Sequence, residues 1–292
     1  SRQFNNLMNN YPFYQIVVAA GNDRDDITIA QVNNSYGYDL LTGGCVSKNT
    51  IVVGAIVPFS SYSLQSVAPA SFSNYGPTDD GRVKPDVVAK GVAVSSTTIT
   101  SDNSYGNLQG TSMAAPAITG LIALMQNHHF NVYGSYMKSH TVRGLMIHSA
   151  REAGSYNGPD YEYGWGIPDA ITMANVISDT NHNNFLFEVN TLANNSVFSK
   201  EITIDAVQNL DFTISWTDPA AATQNNNTVD DRTPMIVNNL DLKVFKLNLD
   251  GSIEQTFYPW KLNPAAISSS ATNNSDNDVD NVEKVQIYNA QP

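Results

Sequence analysis

The residues best able to do chemistry fall in two short strings. Gly110-Thr-Ser-Met-Ala-Ala-Pro116 places Ser112 just ahead of an apolar, small-residue stretch of helical length. A helix N-terminus offers unpaired N–H groups and positive potential, both of which favour an oxyanion forming beside a serine hydroxyl. Gly110 lets a second backbone approach closely, while Met113, Ala114 and Ala115 keep the first turn narrow enough to bury. The plainer alternative is that Thr111 or Ser112 is only an N-cap. The second string, Val17-Val-Ala-Ala-Gly-Asn22, is an apolar strand ending in small residues and an Asn. At a strand's carboxyl end, the Asn22 carboxamide can reach the crevice where α/β sheets bind ligands. The alternative here is a Gly-Asn turn without chemistry.

Positioning these groups requires a sheet and its covering helices. Runs at 15–20, 50–57 and 84–89 are short and apolar, the pattern of buried strands. Residues 112–126, 139–150 and 168–177 read as helices, with Pro116 in the first turns, where a missing N–H matters least. Ser1 to Asn10 reads as a polar lead-in to the first strand. Strands alternating with helices predict an α/β fold, a parallel sheet flanked by helices. Beyond about residue 183 the texture changes. Segments 185–189, 200–207, 210–216, 240–247 and 282–288 alternate apolar and polar residues between loops rich in Asn, Asp, Ser and Pro. That is antiparallel sandwich texture. The expected division is an α/β region over 1–181, a polar linker around 178–184, and an all-β sandwich over 184–292, with polar loops at 225–228 and 268–280.

Composition narrows the function. With 292 residues, 41% hydrophobic and 14% charged, the chain should fold. Fifteen basic against 27 acidic residues leave a net charge of −12, which repels phosphate backbones and anionic lipid. Nucleic acid and membrane surfaces are therefore not expected partners. There is no apolar run of 18 residues to span a bilayer. The single cysteine, Cys45, excludes an intrachain disulfide and a multi-cysteine zinc site. Few Lys and many Asn, Ser, Thr and Tyr suit a secreted or cell-surface protein.

Taken together, the motifs resemble the subtilisin-like serine peptidases, the subtilases. Ala19-Ala-Gly-Asn22 is similar to the family's oxyanion segment, and Gly110 to Pro116 to its nucleophile motif. Phe72-Ser-Asn-Tyr-Gly-Pro77, Gly81-Arg-Val-Lys-Pro-Asp-Val-Val-Ala89 and Gly164-Trp-Gly-Ile-Pro-Asp-Ala170 match further family stretches. Lys90 stands where the family usually has Pro. The resemblance implies Ser112 as nucleophile, Asn22 as oxyanion donor, and Ala19, Ala20, Gly21, Gly110 and Thr111 around a polypeptide substrate. Ile214 to Asp218, Ile236 to Leu242, Tyr258 to Trp260 and Asp280 to Glu283 resemble the C-terminal jelly-roll of one subtilase branch, in which calcium occurs.

A serine nucleophile also needs a base and an orienting carboxylate. In subtilases both precede the oxyanion segment, and neither motif is in this chain. All five His follow Ser112, and His128 and His129 lie more than about 20 Å down its helix. The expectation is a fragment of a longer peptidase whose N-terminal part supplies Asp and His. The rival is an inactive subtilase-like protein whose sandwich binds glycan or protein. Asp241, Asp278 and Asp280 are candidate calcium ligands, since clustered hard oxygen donors on loops suit Ca²⁺. A solvated acidic loop is the plainer reading of them. Asp23, Asp25 and Asp26, just after Asn22, either bias the pocket rim against acidic substrates or form a plain surface turn.

Overall fold

The computed structural model describes residues 1–58, 66–222, 228 and 230–292. The polar loop read at 225–228 lies, apart from Thr228, outside them. The first region is built on a three-stranded parallel sheet, in the order β1 (Val17–Ala19), β2 (Ile51–Ile56), β3 (Val87–Lys90). Val17 pairs with Ile51 and Val53 with Val87. Every residue of β2 is buried, as expected of a strand covered on both faces.

One covering layer is helical. α3 (Thr111–Tyr133), α4 (Ser139–Ser149) and α5 (Ala170–Ser178) pack with the sheet around Ile51, Val53, Ala55, Ala114, Ile118, Ile122, Val142, Met146 and Met173. α3 runs through Pro116, whose missing N–H leaves only the carbonyl of Ser112 without its usual helical partner. The helix ends at Gly134, whose left-handed φ of +69° closes it with an N–H bond to Phe130 O. α5 opens on Asp169, whose carboxylate accepts from the N–H of Ile171 and Thr172.

Four elements depart from the sequence reading. Ser1 to Asn10 is not a polar lead-in but contains helix α1 (Arg2–Asn10). It buries Met8 and Asn5, and the Asn5 carboxamide oxygen accepts from Ser47 Oγ at 2.7 Å and Asn49 N at 3.2 Å. A short helix α2 (Ala30–Asn34) follows β1. An exposed antiparallel hairpin, β4 (Val94–Thr97) with β5 (Tyr105–Leu108), leads into α3.

The C-terminal region is antiparallel, as expected, but forms two separate ladders. β6 (Gln208–Ser215) pairs with β9 (Val282–Ala290), and β7 (Val244–Leu247) with β8 (Ile253–Phe257). Among the described residues, 185–189 and 200–207 form no strand. Alternation orders a segment as a strand only where a neighbour supplies the ladder hydrogen bonds, and among the described residues no strand pairs with these segments.

The two regions share a core. Val83, Ile147 and Trp165 pack with Trp260, Ala271 and Val282. Buried charges reinforce the seam. Lys48 pairs with Asp218, and both side chains are almost fully enclosed. Arg143 on α4, 2% exposed, donates to Asn281 Oδ1 at 2.9 Å and Trp216 O at 3.2 Å, and also reaches Lys48 O. Lys284 of β9 lies at the C-terminus of α4, donating to His148 O at 3.1 Å, where a cation suits the helix dipole.

Candidate active site

The carboxyl end of β1 and the N-terminus of α3 meet. Gly21 takes φ +111° and turns the chain directly after the strand. Asn22 Oδ1 then accepts from Thr111 N at 2.8 Å and from Thr111 Oγ1 at 3.0 Å. Gly21 N donates back to Thr111 Oγ1 at 3.1 Å. Because the Thr111 N–H can only donate, the Asn22 atom facing it is the oxygen. The carboxamide Nδ2 is thereby turned outward, and it makes no hydrogen bond among the described residues.

Gly110 lies against this carboxamide. A Cβ built on it would sit 3.5 Å from Asn22 Nδ2 and 3.7 Å from Met113 Sδ, and its φ is +145°. Its own N–H donates to Gly91 O at 2.8 Å, tying the entry of α3 to the end of β3. Ser112 is the second residue of α3 and is exposed, whereas Thr111 is buried. Its backbone N–H is among the first four of the helix, which have no intrahelical acceptor. Ala20 is buried, and Ala19 O accepts from Cys45 Sγ at 3.2 Å. The structure thus brings Ala19, Ala20, Gly21, Asn22, Gly110, Thr111 and Ser112 to one sheet edge. An exposed hydroxyl, an outward amide donor and a free helix-terminal N–H there suit a carbonyl acquiring negative charge.

None of the five histidines serves this site. His128 bonds Ser178 Oγ at 2.8 Å, and His129 bonds Ser135 O at 2.6 Å. His140 and His148 face Thr217 Oγ1 and Thr213 Oγ1 on β6 and its continuation, and His182 faces Phe185 O. Burial first, and nearby cations second, lower His140 and His148 to about 4.

The chain matches the model of the subtilase family over residues 5–166. It belongs to the subtilase family. This subtilase is 37% identical over 90 residues to a C5a peptidase of Streptococcus pyogenes, covering 30% of this chain and 7% of that one. It is 36% identical over 124 residues to the serine protease AprX of Bacillus subtilis, covering 38% and 25%. It is 30% identical over 190 residues to a subtilisin-like protease of Arabidopsis thaliana, covering 56% and 23%. The subtilase chain therefore spans a quarter or less of these curated relatives. The self-cleaved protease domain of PatA aligns at 21% identity and TM-score 0.44 over 59% of this chain and 52% of that one.

The acidic residues fall differently from the expected set. Asp280 is buried with both oxygens engaged, by Val83 N at 3.0 Å and Asn277 Nδ2 at 2.9 Å, and burial pushes its carboxyl up to about 6. It ties the C-terminal loop to the subtilase core. Asp278 accepts from Asn239 Nδ2 at 3.2 Å. Asp241, Asp278 and Asp280 do not converge: among the described residues, the one group of three whose donor atoms lie within 4.8 Å is Asp39, Asp79 and Asp230. Nothing local in the sequence signals that group. Beside Asp241, however, two buried carboxylate oxygens, Glu283 Oε1 and Asp276 Oδ1, have no partner. Glu283 is fully buried, its other oxygen accepts from Leu242 N at 2.6 Å, and burial with Asp241, Asp280 and Asp276 pushes it up to about 9.

Proposed function

We propose that this chain is the nucleophile-bearing part of a secreted or cell-surface serine endopeptidase. Ser112 attacks the peptide carbonyl, and the tetrahedral oxyanion is held by Asn22 Nδ2 and the Ser112 N–H. The His of the N-terminal part takes the Ser112 proton and passes it to the amine, which leaves as the C–N bond breaks; the resulting acyl-enzyme is then hydrolysed by water. The Asp and His that complete the triad come from the N-terminal part of the same peptidase. The observation that carries this reading is the pair of Thr111 bonds to Asn22 Oδ1, 2.8 and 3.0 Å. They fix the carboxamide on the helix that bears Ser112, with its donor free.

The test is fluorophosphonate labelling of the full-length protein. Label that disappears in Ser112→Ala supports the assignment, and label that persists removes Ser112 from the mechanism. In subtilisin itself, loss of one oxyanion donor lowers kcat by about 10²–10³. The same range, carried over from that relative, is expected for Asn22→Ala. An unlabelled wild type would favour the rival role, an inactive subtilase whose C-terminal β region binds another molecule.

The C-terminal ladders, in this proposal, belong to a jelly-roll that holds a structural calcium ion. The residues nearest to that role are Glu283, Asp276 and Asp241: two carry a buried oxygen without a partner. The three donor sets do not lie within 4.8 Å of one another and Lys243 already pairs with Asp276, so calcium would have to draw them together. Asp278 stands at the rim of this group, and Asp280 does not belong to it.

A further inference from the structure

The Phe72-Ser-Asn-Tyr-Gly-Pro77 motif has no role in the chemistry above, yet Asn74 reaches the chain on both sides of Asn22. Asn74 N donates to Gly21 O at 3.1 Å. Asn74 Oδ1 accepts from Asp23 N at 2.7 Å. Asn74 Nδ2 donates to Asp23 Oδ2 at 2.8 Å and to Leu40 O at 3.2 Å. The residue is 2% exposed, and both hydrogens of its carboxamide are used.

The neighbouring residues of the same segment extend the clasp. Arg24 N donates to Phe72 O at 3.2 Å, Arg24 Nε to Ser73 O at 3.0 Å, and Ser71 Oγ to Asp25 Oδ2 at 2.8 Å. The glycine at position 21 belongs to this arrangement. A Cβ there would lie 2.3 Å from Asn74 Nδ2, so no larger residue leaves room for the Asn74 carboxamide. Asn22 is thus held by two independent anchors. Thr111 sets its side chain, and Asn74 sets the backbone before and after it.

We propose that Asn74 is a positioning residue for oxyanion stabilisation, acting through Asn22. The inference rests on the peptidase reading above. An oxyanion donor lowers the barrier only if it is placed before charge develops. The loop holding it carries Asp23, Asp25 and Asp26, all exposed, so these side chains contribute little packing to fix the backbone. Asn74 also holds the Asp23 carboxylate, one residue from the donor, in a defined hydrogen bond. Displacing a catalytic group by about 1 Å can lower a rate by about 10². The effect expected of losing Asn74 is therefore on kcat and not on KM.

The experiment uses the full-length peptidase with three variants, Asn74→Ala, Asn74→Asp and the double variant Asn74→Asp with Asp23→Asn. Active sites are counted by exhaustive fluorophosphonate titration, kcat and KM are measured on a peptide anilide, and amide exchange is followed over residues 17–25 and 51–56. Asn74→Ala should lower kcat per active site about 10- to 100-fold, with KM within about twofold. Exchange should quicken at Asp23 and Arg24 and stay slow in β2. Asn74→Asp faces Asp23 with a like charge and should be equally impaired. The double variant reverses donor and acceptor between positions 23 and 74, though it does not restore the bond to Leu40 O, and should recover at least about a third of the lost activity on a logarithmic scale.

A kcat per site within about twofold of wild type in Asn74→Ala overturns the inference, as does a double variant no better than Asn74→Asp. If Asn74→Ala does not fold, the comparison of Asn74→Asp with the double variant decides. An inactive, unlabelled wild type overturns the peptidase reading and this inference together. An active wild type with an unimpaired Asn74→Ala overturns the inference alone.

Discussion

One oxygen of Asn22 takes two hydrogen bonds from Thr111, one from the backbone N–H at 2.8 Å and one from the hydroxyl at 3.0 Å. The hydroxyl in turn accepts from Gly21 N at 3.1 Å. Thr111→Val keeps the shape and the backbone bond but removes the hydroxyl. It leaves Gly21 N without an acceptor and Asn22 Oδ1 held by one hydrogen bond in place of two. A fully buried donor left unpaired costs about 1–3 kcal/mol, and the partly buried Gly21 N falls at the lower end. The expected result is about a tenfold fall in kcat of the full-length enzyme with KM unchanged, and Thr111→Ser should restore most of it. A valine variant with full kcat would show that the backbone bond alone holds the carboxamide.

The seam between the two regions should behave as part of the fold. Lys48 Nζ also donates to Pro219 O at 2.7 Å and Met235 O at 2.6 Å, while Asp218 accepts from Val237 N and Asn238 N. Asp218→Ala strands a buried ammonium and should lower unfolding free energy by about 3–5 kcal/mol in denaturant titration. Lys48→Met combined with Asp218→Leu should recover part of that loss. A loss below about 1 kcal/mol would place the pair with solvent-exposed ones.

Acid should weaken the fold through His148. Burial first and Lys284 second lower its pKa from 6.5 to about 4. The unfolded chain therefore takes up the proton first as pH falls. Stability is intact above about pH 6.5 and declines between there and about pH 4. Between pH 7.5 and 5.0 this group should account for about 2 kcal/mol. His148→Asn should reduce the pH dependence of unfolding by that amount, and an unchanged dependence would locate the acid sensitivity elsewhere.

Calcium should raise the melting temperature if Glu283, Asp276 and Asp241 hold it. A ligand at a hundred times its Kd adds about 2.7 kcal/mol. Chelation should remove that gain from the wild type, and Glu283→Gln should show no gain to remove. A wild type whose melting is indifferent to both calcium and chelator would leave these oxygens to water.

The elements that carry the site were legible where local pattern and tertiary role agree. The runs around Val17, Ile51 and Val87 are apolar without alternation because β2 is covered on both faces and its neighbours pack beside it. Helix α1 is absent from the sequence reading: its four Asn are weak helix formers, and the hydrogen bonds of Asn5 to Ser47 and Asn49 that hold it are tertiary. The C-terminal segments were half legible. The alternation at 210–216 and 282–288 found a partner in the β6–β9 ladder, while the same pattern at 185–189 did not.

The sequence by itself determined the strand ends and helix start on which Asn22 and Ser112 lie, because apolar runs, glycines and caps act over a few residues. It also determined the family, because those strings are dense. Only the tertiary structure decided which groups meet. Thr111 reaches Asn22 across 89 positions, Asn74 reaches Asp23 across 51, and Lys48 reaches Asp218 across 170. Sheet order and helix packing set such pairings, and a buried polar group is satisfied by whatever partner the fold delivers, at any distance along the chain.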